Sequence, residues 1–232
     1  MSQRKENGFI NIIVNVVIPV FVLNKLSEKL GPGNALILAL MFPLGYGIYD
    51  WIYRKKINAI SALGLLNVTI TGGLALLGLG GIWFSLKEAA FPLLIGIFVW
   101  FSANSENPFI KMLLINPQVM HVDKIESKLK ELNNQSLFMQ HLSTSTRLLA
   151  LSFFISAVFN FTLAQFIFLP LPEGLPQTEK SLLLNQQIAQ MTSWSFLVIM
   201  VPSMLFLIFI FYHLLNGIKK LTQLTMEDIV RN

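Results

Sequence analysis

Six long apolar runs constrain this chain more than any other feature. They lie at about Phe9 to Leu26, Gly33 to Tyr53, Ala59 to Leu77, Ile82 to Ala103, Leu148 to Leu169 and Thr192 to Asn216. Each is close to the roughly 20 residues that an α-helix needs to cross the hydrocarbon of a bilayer. Inside hydrocarbon the backbone N–H and C=O groups have no water to turn to, so such runs must close their hydrogen bonds internally, as helices do. The reading is an all-α, polytopic membrane helical bundle of six transmembrane helices, one integral membrane domain over residues 1–232. Composition agrees, since 12% of residues are charged and 54% hydrophobic, against about 25% charged in soluble domains. The first run is the weakest, because Asn11 and Asn15 interrupt it, and a tilted or re-entrant segment is the alternative there. No small-residue cleavage site precedes Lys25, so that run reads as an uncleaved anchor rather than a secretory signal.

Charge sets the orientation. With both termini cytoplasmic, that side holds Arg4, Lys5, Arg54, Lys55, Lys56, Lys111, Lys124, Lys128, Lys130, Arg147, Lys219, Lys220 and Arg231, and the other side only Lys25, Lys29, Lys87 and Lys180. Thirteen basic residues against four places both ends in the cytoplasm by the positive-inside rule. The same distribution accounts for the net charge of +5 without a nucleic-acid surface. The connection at 104–147 is polar, and Ile125, Leu129 and Leu132 recur in it at helical spacing opposite Lys124, Lys128 and Lys130. Two readings of that amphipathic cytoplasmic helix stand: it lies among the inner headgroups, or it packs under the bundle. On the other side, Pro170, Pro172, Gly174 and Pro176 mark turns before a short helical stretch.

Polar residues inside the runs are the candidate site. A charge at the centre of a membrane helix costs about 2.5 to 3.5 kcal/mol on insertion scales, so ionisable residues there are a functional hypothesis by default. Lys87 and Glu88 are adjacent at the head of the fourth run, and neighbours on a helix do not face each other. The expectation is that they neutralise one another poorly and each needs a partner on another helix, with Asn24, Lys25, Asn160 or Gln165 as possible neighbours. Alternatively both sit at the outer interface, with Lys87 snorkelling beside Trp83. Asp50 is the other acid and has Arg54 one turn on. Asn15 on the first run and Asn67 with Thr71 on the third complete a possible polar pathway, although small polar stripes also simply let helices pack closely. Pro19, Pro43, Pro92 and Pro202 fall inside runs and leave the carbonyls of Asn15, Ala39, Glu88 and Val198 without a helical donor. These are the candidate helix kinks, and freed carbonyls of this kind line binding sites in transporters.

Other chemistry is missing from the sequence. Cysteine is absent, and His121, His141 and His213 lack metal-ligand spacing. No HExxH, GxSxG or P-loop pattern occurs. No catalytic residue, metal site or cofactor is expected, and the chain does not read as an enzyme.

The segments "FPLGYGIYDWIYRKK" (Phe42 to Lys56), "WFSLKEAAFP" (Trp83 to Pro92) and "NPFIKMLLINPQ" (Asn107 to Gln118) resemble a bacterial family of six-helix inner-membrane proteins without assigned activity. Some of its members carry the names of facilitator-type transporters. The first four runs also resemble, more faintly, intracellular septation protein A. The resemblance implies a multi-pass protein of the bacterial inner membrane and transfers no functional residue. Two functions are carried forward. One is a small permease or lipid-handling transporter with a polar site between kinked helices, whose partners are the lipid bilayer and a small-molecule or lipid substrate. The other is a non-catalytic envelope or septation scaffold, partnered by an envelope protein or by further copies of itself.

Overall fold

The computed structural model describes residues 13–54, 66, 69–75, 77, 79–117 and 119–230, with the backbone alone at 15, 16, 50, 51, 53 and 54. A π-helical turn, Ile13–Val17, leads into α1 (Ile18–Lys25), followed by α2 (Ser27–Leu30), α3 (Pro32–Arg54), α4 (Ile82–Ser102), α5 (Phe109–Leu114), α6 (Val122–Glu131), α7 (Gln135–Ile167) and α8 (Gln177–Ser195). A second π-helical turn, Phe196–Met200, joins α8 to α9 (Val201–Thr222), and α10 (Met226–Ile229) ends the chain. Residues 69–75 are also helical. Among the described residues the one extended pairing is an isolated antiparallel bridge, Met120 with Val230.

Four helical runs among these residues are long and apolar enough to cross a membrane: Pro32–Tyr49, Ile82–Ser102, Gln135–Ile167 and Gln177–Thr222. That is the make-up of a membrane protein. The second and fourth predicted runs coincide with α3 and α4 to within about a residue. The fifth lies inside the 33-residue α7, and the sixth inside a helical run of 46 residues. The stretch after Pro176 is therefore not a separate short helix but the start of that longer run. Most of the third run, and residues 9–12 of the first, lie outside the described residues.

The chain divides into two compact units. The first comprises Met1–Glu88 with Asn160–Val198. There α1, α2 and α3 pack against one another and against α8, burying Val22, Leu23, Ala35, Leu36, Ala39, Leu184, Ile188 and Ala189. The tight connection into α3 depends on Gly31, whose φ of 79° is costly for any residue with a Cβ. Pro32 then opens α3, where its missing N–H costs nothing. Asn185 is the polar pin of this unit. Its Nδ2 donates to Ser27 Oγ at 3.1 Å and to the Pro32 carbonyl at 2.9 Å, and Ser27 Oγ donates in turn to the Leu23 carbonyl at 2.7 Å.

The second unit comprises Ala89–Phe159 with Ile199–Asn232. Its core gathers Val99, Ile110, Met120, Ile125, Leu129, Leu142, Ile210, Leu214, Ile218 and Ile229. Ile125 and Leu129, the apolar face of α6, are 1% and 2% exposed because α9 and α10 pack against that helix. Of the two readings of the amphipathic helix, packing under the bundle is what the structure shows. An apolar face already filled by protein has nothing left to insert among headgroups. The chain end is clamped to the same place: the His121 N–H donates to the Ile229 carbonyl at 2.9 Å, Lys124 pairs with Asp228 at 3.1 Å, and Thr225 caps α10.

Candidate functional site

The site forms where α4 starts in the first unit. Gly81 takes a φ of 58°, and its carbonyl receives the N–H of Phe84 at 3.2 Å, which starts the helix. Ile82, Trp83 and Leu86 then face outward, while Phe84, Ser85 and Lys87 are buried. The Phe84 ring stacks on Phe168 with centroids 4.3 Å apart. A Cβ on Gly80 would meet Leu171 and Leu184 at 3.4 and 3.5 Å, so this end of α4 is held close to α8.

Within that packing Lys87 Nζ lies 2.7 Å from Glu88 Oε1, with the two side chains 5% and 21% exposed. The expectation that adjacent residues neutralise one another poorly is corrected by this contact. Helix geometry sets the directions of the Cβ atoms, but the four-carbon lysine stem is long enough to swing its ammonium back to the neighbouring carboxylate. With the lysine side chain this enclosed, the attraction between the opposite charges is screened less than in bulk water. Trp83 is 53% exposed, whereas the lysine beside it has its side chain packed against protein. No bond joins either charge to Asn24, Lys25 or Gln165. Among the described residues the two bond to each other, which leaves further N–H donors on the ammonium and a second carboxylate oxygen. Pro92, inside α4, has no N–H for the Glu88 carbonyl, so a backbone acceptor belongs to the same residue.

Thr71 is half-buried and has a partner. Asn15 lies in the first π-helical turn and Asp50 in α3, but their side chains, like all of Asn67, lie outside the described residues. The prolines fall into two classes. Pro19 and Pro202 each sit at the start of an α-helical segment directly after a π-helical turn, where the wider turn absorbs the missing bond. Pro43 and Pro92 lie inside α-helices assigned without a break.

A second polar cluster belongs to the second unit and was not expected. The rings of His141 and His213 have centroids 4.8 Å apart. His141 Nε2–H donates to the Leu214 carbonyl at 3.3 Å, while His213 Nε2 is buried without a partner. Gly217 lies directly beneath the His141 ring, so that a Cβ there would overlap it. Sequence spacing cannot bring together two histidines on helices so far apart in the chain. Two imidazoles are too few for a metal, and among the described residues no group of three His, Asp or Glu side chains is placed to hold one.

No family model, curated protein or solved structure matches this chain. The likeness to six-helix inner-membrane proteins therefore rests on the motifs quoted above.

Proposed function

We propose that this protein is a small permease or lipid-handling transporter of the bacterial inner membrane, with six spans and both termini cytoplasmic, and that Lys87 and Glu88 are its polar site. The observation that carries this reading is the ion pair at the head of α4, with Lys87 buried and Glu88 half-buried. Charges held in a membrane helix are expensive, and those that persist mark substrate or ion pathways. The pair is neutral as it stands. An anionic group arriving at Lys87, or a proton or cation arriving at Glu88, displaces one partner and leaves the other charged, so occupancy of the site and the local charge are coupled.

Proteoliposomes test this with two assays: dithionite quenching of a fluorescent-headgroup phospholipid, and light-scattering swelling with small neutral and charged solutes. Glu88→Gln and Lys87→Met should each abolish whichever activity the wild-type protein shows. Wild-type rates in both variants, or no activity in the unaltered protein, would count against the proposal.

One observation favours the scaffold reading instead. With its apolar face packed inward, α6 leaves Asp123, Glu126, Lys130 and Glu131 exposed as a charged surface, Glu131 being paired with Lys128 of the same helix. A photocrosslinking residue in place of Glu126 should then trap one defined envelope protein in living cells; recovery of the chain alone removes that reading.

A further inference from the structure

The first unit contains a groove that the ion pair does not use. It has a volume of about 380 Å³ and is lined by Val17, Val20, Phe21, Asn24 and Lys25 from α1 and its leading turn, and by Ser193 from α8. The five α1-side residues follow the spacing of one helix face, at i, i+3, i+4, i+7 and i+8 from Val17. That face is apolar for its first two turns and then ends in an amide and an ammonium. The opposite face, Val22 and Leu23, is buried in the unit, so α1 carries one face packed on protein and one that is not. Val17 is 52% and Phe21 57% exposed, and the groove opens sideways onto them.

We propose that this groove binds one anionic phospholipid, an acyl chain lying along Val17, Val20 and Phe21 and the phosphate meeting Lys25 and Asn24. An apolar stripe that terminates in a cation has the polarity profile of a lipid chain with its charged head. Charge complementarity points the same way. Among the described residues Lys25 makes no ion pair, Glu28 is exposed and unpaired, and Lys29 adds a second cation, so Lys25, Glu28 and Lys29 together are positive. Both walls also agree on depth, since Lys25 ends the first apolar run and Ser193 begins the last, which places the polar end where headgroups lie. The inference rests on the membrane placement of the first unit but not on transport, because the groove and the Lys87–Glu88 pair share no residue.

Native mass spectrometry of the full chain in detergent tests it, with phosphatidylglycerol and phosphatidylcholine of equal chain length as the probes. The wild-type protein should retain phosphatidylglycerol in preference to phosphatidylcholine. Lys25→Gln should lower the phosphatidylglycerol affinity about fivefold and leave phosphatidylcholine unchanged, while Lys25→Arg keeps the preference. Val20→Trp, which fills the groove without altering charge, should weaken both lipids. Lys180→Gln, a lysine on the same predicted side of the membrane, should change neither. Equal retention of the two lipids by the wild-type chain, an unaltered Lys25→Gln profile, or the same loss in Lys180→Gln would overturn the assignment. Displacement of phosphatidylglycerol by equimolar inorganic phosphate would overturn it too, by showing that the site takes a free anion.

Discussion

Lys87 shows what a single residue contributes. Its ammonium is almost completely enclosed, and the neighbouring carboxylate is its ion-pair partner. Lys87→Met, which strands Glu88, should cost about 3 kcal/mol, whereas adding Glu88→Gln should recover most of that loss, because breaking a buried pair costs far more than replacing it. Equilibrium unfolding of the four-member mutant cycle in mixed dodecyl sulfate micelles measures both. Gly217 makes a different contribution, by having no side chain under the His141 ring. Gly217→Ala should destabilise by about 1 to 3 kcal/mol through overpacking, and the loss should shrink when His141→Ala is added; the same unfolding assay decides. At this scale the sequence was legible only in part. Lys87 and Glu88 stand out as charges in a greasy run, yet which way they turn depends on what surrounds them, and Phe168, just past α7, and Leu184 in α8 come from far along the chain. The histidine contact left no signal at all, since neither residue is marked by its own neighbours.

Helices and their joints carry the next set of consequences. Asn185 ties α8 to Ser27 of α2 and to the carbonyl of Pro32. Asn185→Ala removes two buried hydrogen bonds that join α8 to Ser27 and Pro32 and should cost about 1 to 3 kcal/mol, read in the same micelle titration, while Gln186→Ala, an exposed neighbour, should be neutral. The clamp of α10 on α6 depends on pH. The Thr225 hydroxyl first, and then Lys124, hold the Asp228 carboxyl below the usual carboxylate range. A depressed folded-state value means the stabilisation is complete above the ordinary carboxylate range and disappears as pH falls through the lowered one. Corrected for its intrinsic rate, exchange of the His121 amide should therefore accelerate on acidification in that window, and Asp228→Asn should flatten the response. Element positions were largely readable, because α3 and α4 are apolar runs bounded by Gly31 with Pro32 and by Gly81. The length of the last run was not. Turn residues at 170–176 correctly end α7, but Gln177 to Met191 carry too few apolar residues to show that the helix which begins there continues into the greasy segment.

At the level of the whole chain the composition supplies a clean experiment. Because cysteine is absent, single cysteines can be introduced one at a time without a background. With six crossings and both ends cytoplasmic, Lys180→Cys should react with a membrane-impermeant maleimide in intact spheroplasts, whereas Lys56→Cys and Lys130→Cys should react only after the membrane is opened. Labelling of Lys130→Cys in sealed cells would reverse the orientation read from the lysines and arginines. That an apolar helical chain is built for a bilayer was plain from its long hydrophobic runs, since the cost of unpaired backbone in hydrocarbon leaves helices as the simplest solution. What the chain does was not, because function depends on a few polar atoms whose positions only folding assigns. One stretch of α9 has a consequence for the bilayer itself. From Met204 to Phe209 every side chain is exposed, so successive residues look outward in all directions and, among the described residues, no protein surface covers that half of the helix. In the membrane placement proposed above, acyl tails would surround it there. Lipid thickness then becomes a determinant of tilt, and reconstitution in short-chain or long-chain bilayers will lean this segment by different amounts while leaving its packed lower half, anchored through Ile210, Leu214 and Ile218, in place.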